Sequence, residues 1–219
     1  MAITGNSSYI PTINEFIPHW ADCNTALDPQ ALLIRLPDNT TRTQAQLTTM
    51  RDALQAQQDQ VQACLAAQQI ARGSIGLSKV VLLTQFNMFV SLLDGYYQNT
   101  EFYPARPYAP SLTDGQEVFT RQLVDMMMLW QKLNAGTAPA GITLPLLLAD
   151  GTSRDSFASA VSALQFYYAT ERVKAQDLSL TRARRNRMQQ TAYDLLKSYR
   201  EAVPAGWRSS QSWSKPCRV

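Results

Sequence analysis

Few residues in this chain are of the types that do chemistry. One histidine, His19, is followed four positions later by Cys23, a spacing that puts both on one turn of a helix. A thiol beside an imidazole is the arrangement from which a cysteine nucleophile is made. Asp22, adjacent in sequence, points to another face. His19 also sits beside Trp20, in what reads as the first turn of a short helix, where a packing or surface role is usual. No catalytic residue is therefore expected, and the chain reads as a non-enzyme.

Metal chemistry has still less to work with. A dimetal site in a bundle wants Glu-x-x-His motifs on facing helices, and the chain has one histidine and no such pair. Carboxylates such as Asp22 and Asp28, or Asp52 and Asp59, are scattered at solvated positions, which leaves paired-carboxylate catalysis unsupported as well. Gly73-Ser74-Ile75-Gly76 lies between two helical patterns, the wrong context for a phosphate loop. No metal, cofactor or small-molecule substrate is expected.

The feature that stands above background is basic. Arg182, Arg184, Arg185 and Arg187 fall within six residues, with Arg172, Lys174, Lys197 and Arg200 nearby. The chain's net charge of +3 divides into +7 over residues 171–219 and −4 over residues 1–170. Counterion release makes such clusters useful on nucleic acid, and an acidic protein or membrane surface would suit them too. Helical spacing puts Arg184 with Arg187 on one face and Arg182 with Arg185 on another, as on an ordinary solvated helix.

The elements that must position these residues show a repeat. Leu36-Pro37-Asp38-Asn39-Thr40-Thr41-Arg42 resembles Leu148-Ala149-Asp150-Gly151-Thr152-Ser153-Arg154, offset by 112. A short apolar run precedes each, Ala31–Leu36 and Ile142–Leu148, and both read as strands bounded by turn signals, with Pro145 demoting the second to an edge or bulge. A long helical pattern follows each loop. Thr40 or Thr41 is the expected N-cap of the first, and Thr152 or Ser153 of the second. Another helix precedes each strand, and Trp20 and Trp130 fall in comparable places on these two. Pro18 is expected in the first turn.

The first copy is expected to break at Arg72-Gly73-Ser74-Ile75-Gly76 and resume as an apolar helix to about Tyr97. The second is expected to break at Asp177-Leu178-Ser179 and resume to about Val203. Without that second break, residues 153–203 form one helix of about 75 Å, which would call for a partner chain. Pro104, Pro107 and Pro110 favour an extended connector.

The expected fold is mainly α: a multi-helix bundle from a tandem α-β-α-α duplication. A small two-stranded antiparallel ribbon is expected between the copies. One helical domain covers 1–203, with a first copy at about 12–99, a connector at 100–112 and a second copy at about 113–203. Residues 204–219, rich in Ser and Trp, read as a tail or linker.

Composition sets the class. Of 219 residues, 45% are hydrophobic and 17% charged, an ordinary globular balance. Cys23, Cys64 and Cys217 suggest neither a disulfide framework nor a zinc cluster, and the start MAITGNSSYIPTINEF has no leader pattern, so a cytoplasmic protein is expected. The apolar stretch Ile75–Leu93 is interrupted by Lys79, Gln85 and Asn87 and reads as a core helix rather than a membrane span. Met126-Met127-Met128 reads as core. Residues 41–72 are rich in Gln and Ala, which suits helix–helix association. The function expected is a structural or protein-interaction module, a self-assembling subunit being one form of it. The alternative is a nucleic-acid-associated protein binding through the arginine-rich helix.

Overall fold

Apolar residues recur at helical spacing along most of this chain, and it folds accordingly. The computed structural model describes residues 3, 5–36 and 38–203 and is mainly helical, with a small two-stranded antiparallel sheet. In order, the elements are α1 (Tyr9–Ala26), β1 (Ile34–Arg35), β2 (Thr41–Arg42), α2 (Gln44–Tyr96), a 3-10 turn (Tyr103–Ala105), α3 (Gln116–Ala135) and α4 (Arg154–Ala202). Two compact units are formed, unit 1 from Met1–Leu65 with Asp177–Val219 and unit 2 from Ala66–Gln176. The expected tail, 204–219, lies outside the described residues.

In unit 1, Ile13, Phe16, Trp20 and Cys23 make the buried stripe of α1. It packs with Ile34 and Leu36 of the hairpin, Leu47 and Leu54 of α2, and Leu195, Leu196, Tyr199 and Val203 at the end of α4. Each such aliphatic or phenyl side chain contributes about 1.5–3 kcal/mol when fully buried. The hairpin pairs Ile34 with Arg42 and Arg35 with Thr41. Its turn is closed by the Leu36 N–H donating to the Thr40 carbonyl at 2.8 Å, and Asn39 takes the left-handed conformation, φ 64°, that asparagine tolerates. Asp38 accepts from the Thr40 N–H at 3.0 Å and its hydroxyl at 2.7 Å. Two bonds tie the hairpin to α1: Trp20 Nε1 donates to the Leu32 carbonyl, and the Leu32 N–H donates to Asn24 Oδ1. Gln189 and Gln58 both donate to the carbonyl of Asn6, ahead of α1.

In unit 2 the buried stripe of α3 is Phe119, Leu123, Met126, Leu129, Trp130 and Leu133. It packs with Leu82, Phe86, Phe89 and Leu93 of α2, Leu146 and Leu148 of the following loop, and Phe157, Val161 and Leu164 of α4. Here the Leu148 N–H donates to the Thr152 carbonyl at 3.0 Å, Gly151 is left-handed, φ 82°, and Asp150 accepts from the Thr152 N–H at 2.9 Å. Trp130 Nε1 donates to the Leu146 carbonyl, and the Leu146 N–H donates to Asn134 Oδ1. Lys79 is buried, with its ammonium donating to the carbonyls of Leu112 and Asp114, ahead of α3, and lying 4.8 Å from the centre of the Phe119 ring. Gln85 reaches Thr152 while Gln68 and Arg72 reach Glu171, so within this unit α2 and α4 run antiparallel.

Several expectations are corrected. The expected turn at residues 72–76 is absent, and α2 continues through it. A helical glycine costs only about 1 kcal/mol relative to alanine, and the core stripe carried by Ala71, Lys79 and Leu82 outweighs two of them. The expected break at 177–179 is also absent. Leu178 is buried there and no glycine or proline interrupts α4. Residues 142–148 form no strand, only an isolated bridge between Leu147 and Ser153. The ribbon therefore lies within residues 34–42 and does not pair Ala31–Leu36 with Ile142–Leu148. A turn closed locally orders a shorter loop than a pairing across the chain, and Pro145 has no N–H for a ladder. Pro18 lies inside α1, because the helix begins at Tyr9 and its stripe runs past the proline on both sides. The N-cap of α2 is Thr43, whose hydroxyl accepts from the Gln46 N–H while Gln46 Oε1 accepts from the Thr43 N–H, a capping box. Ser153, one of the two expected caps of α4, accepts from the Ser156 N–H through its hydroxyl.

Candidate functional site: a buried histidine–tyrosine–cysteine cluster

His19 and Cys23 share a face of α1, as their spacing requires, but a third residue stands with them. Tyr199 of α4 places its hydroxyl 2.6 Å from His19 Nδ1 and 3.5 Å from Cys23 Sγ, whereas Sγ and Nδ1 are 3.9 Å apart. The Tyr199 hydroxyl is within hydrogen-bond reach of both Nδ1 and Sγ, and the imidazole nitrogen is the nearer partner. Cys23, Tyr199 and His19 thus form one hydrogen-bonded series with the phenol at its centre.

Packing fixes the cluster. The Tyr199 ring lies 4.9 Å from Trp20 and 5.4 Å from Phe16, centre to centre, and the Arg200 guanidinium stands 5.2 Å from the Phe16 ring. Tyr199 and Cys23 are each 2% exposed and His19 is half-buried. Burial first, then the hydrogen bond shared with Cys23 and the Coulombic effect of Cys23 and Asp22, push the Tyr199 hydroxyl well above the ordinary tyrosine range. It is a neutral donor at physiological pH.

This geometry changes the reading of the dyad. A nucleophilic cysteine needs a base on its own proton and a path for substrate. Here Nδ1 is already engaged by the phenol, and the sulfur is sealed in the core. No family model matches the chain, and neither a curated protein nor a solved structure matches it.

The chain itself supplies a comparison. Trp20 and Trp130 are offset by 110, and the same offset carries His19 to Leu129, Cys23 to Leu133 and, in reverse, Tyr199 to Phe89. All three of these partners are buried in unit 2. There Phe89 lies 5.3 Å from Trp130, in the relation Tyr199 holds to Trp20. Apolar side chains fill these places in one unit and a polar hydrogen-bonded trio fills them in the other. Tyr199 was not found by sequence reasoning, but the offset between the two tryptophans would have aligned it with Phe89.

The arginine cluster lies on the part of α4 in unit 1. Arg182, Arg184 and Arg187 are exposed, while Arg185 is half-buried and donates to the side chain of Asn186. At about 100° per residue, Arg184 and Arg187 lie on nearly the opposite side of the helix from Arg182 and Arg185. The four therefore present two faces of the helix rather than one. Among the described residues no group of three or more His, Cys, Asp or Glu is placed to hold a metal ion.

Proposed function

We propose that this chain is a non-enzymatic helical interaction module that assembles with itself. The observation that carries the reading is the set of large apolar side chains left exposed on the two long helices: Ile70, Leu77, Val80 and Val81 of α2, and Phe166, Val173 and Leu180 of α4. Phe166 and Val173, seven residues apart on the part of α4 in unit 2, lie on the side away from Phe157, Val161 and Leu164. Exposed apolar side chains aligned on one helix side mark an association surface. The experiment is the native mass by size-exclusion chromatography with light scattering. A particle larger than the 24.5 kDa of one chain is expected, and a monomer at every concentration would remove the reading.

We further propose that the scaffold arose by tandem duplication of a unit whose copies are offset as Trp20 is from Trp130. What supports this is the recurrence of the Trp–carbonyl and Asn–N–H bonds, the Asp–Thr turn, the hydroxyl cap and the ring pair on Trp. From the Trp partner to the turn, and from the turn to the cap, the second hairpin is two residues shorter on each arm. A change of two keeps every strand side chain on its own face.

A second reading, nucleic-acid binding through Arg182, Arg184, Arg185 and Arg187, is favoured by the exposure of three of them. It predicts retention on heparin that collapses as salt rises and is lost when Arg184 and Arg187 become Ser. Unchanged retention in that variant counts against it.

A further inference from the structure

We infer that two copies of this chain meet through the outward face of α2 in unit 2, from Gly73 to Ser91, each presenting the same face across a twofold axis. The inference rests on the self-assembly reading and names its surface. Between Gly73 and Ser91 the one charged residue is Lys79, and it is turned inward onto the carbonyls of Leu112 and Asp114. The exposed residues of this stretch, among them Leu77, Val80, Val81, Thr84, Asn87 and Ser91, carry no charge. The face is about 27 Å long at 1.5 Å per residue.

The scaffold does not require such a face. At the same offset that relates the two tryptophans, α4 in unit 1 carries Arg187, Gln190, Thr191, Asp194, Lys197 and Glu201. Buried positions keep register between the two stretches: Leu82, Phe86, Phe89 and Leu93 match Ala192, Leu196, Tyr199 and Val203. One stretch is solvated by charge, as exposed helix faces usually are, and the other has none.

Charge decides the occupant. In an isologous interface residue i meets j and j meets i, so every charge on the face is presented twice, and a self-complementary face must avoid placing like charges opposite one another. An uncharged face does so without further arrangement. The other candidate is lipid, since α2 is long and apolar enough to cross a membrane. However, Asn87 and Ser91 would lie against hydrocarbon, where unpaired polar groups are costly. The same stretch also gives Leu82, Phe86, Phe89 and Leu93 to the core of unit 2.

The test uses the full chain. Wild type is expected at twice 24.5 kDa. Val80→Glu with Val81→Glu is expected at the single-chain mass with unchanged far-ultraviolet circular dichroism. The matched pair in unit 1, Gln190→Glu with Thr191→Glu, is expected to keep the doubled mass. Thr84→Glu repeats the test with a residue that is already polar, should the double variant fold poorly. A doubled mass in both Val80→Glu/Val81→Glu and Thr84→Glu overturns the face and leaves self-assembly standing. A monomeric wild type overturns both. A monomer that floats with phosphatidylcholine vesicles, and stops doing so in Val80→Glu/Val81→Glu, overturns the second copy in favour of lipid.

Discussion

The hydroxyl of Tyr199 stands 2.6 Å from Nδ1 of His19, joining the first described helix of the chain to the last. The corresponding places in unit 2 are filled by Phe89 and Leu129. Removing one member of a buried hydrogen-bonded group leaves its partner unsatisfied, whereas replacing all members by apolar groups of similar shape is nearly neutral. Tyr199→Phe alone is therefore expected to cost about 1–3 kcal/mol in urea unfolding. His19→Leu, Cys23→Leu and Tyr199→Phe together should recover most of that loss. A triple variant less stable than Tyr199→Phe would show that this end of unit 1 depends on the polar trio.

Alkaline pH should destabilise the fold. Burial raises the hydroxyls of Tyr97 and Tyr168 above the ordinary value of 10.0, and that of Tyr199 furthest. A raised folded-state value means the folded protein holds the proton longer than the unfolded chain. The stabilisation is fully present below pH 10 and lost as pH rises beyond it towards the folded values. Thermal melts from pH 8 upward should show a falling midpoint, with a shallower fall in Tyr199→Phe. Equal slopes would remove the linkage to this residue.

Acid acts on the two turns. The Thr40 hydroxyl and N–H hold the Asp38 carboxyl below its ordinary 3.8, and the Thr152 N–H and hydroxyl do the same for Asp150. Their contribution is present above the ordinary carboxylate value and lost as pH falls through the lowered one. Nuclear magnetic resonance titration should find both midpoints below 3.8, and Thr40→Val should return that of Asp38 towards it. An unmoved midpoint would show that the turn does not hold the carboxylate.

Lys79 and Gln189 occupy corresponding places and both fasten the segment ahead of a short helix. Lys79→Met strips the carbonyls of Leu112 and Asp114 of a charged donor and should cost about 1.5–3 kcal/mol. Gln189→Leu should cost less, because Gln58 still donates to the Asn6 carbonyl. Urea unfolding of the two variants checks the order.

Helix continuity at Gly73 and Gly76 is open to direct test. A Cβ built on either meets nothing within 4 Å, and neither glycine has a positive φ. Gly73→Ala and Gly76→Ala should each stabilise by about 0.5–1 kcal/mol, since alanine restricts the unfolded chain and suits a helix interior. Loss of stability in a melt would point to the turn that the glycines suggested.

Helical class, the helix ahead of each loop with its tryptophan, and the likeness of the two loops were all legible in the sequence, because each is a local pattern. So was the pairing of His19 with Cys23 on one helix turn, which depends only on the pitch of the helix. Tertiary structure decided the rest. Glycines at 73 and 76 look like a stop when read locally, yet the helix continues, because burial along its stripe outweighs their conformational cost. Ile142–Leu148 has strand composition, but its ladder shrinks to one bridge where the arms are short and Pro145 cannot donate. Tyr199 joins His19 and Cys23 by packing from the far end of the described chain, which no local spacing encodes. The sequence settles what each segment prefers, and only the folded contacts settle which preference survives.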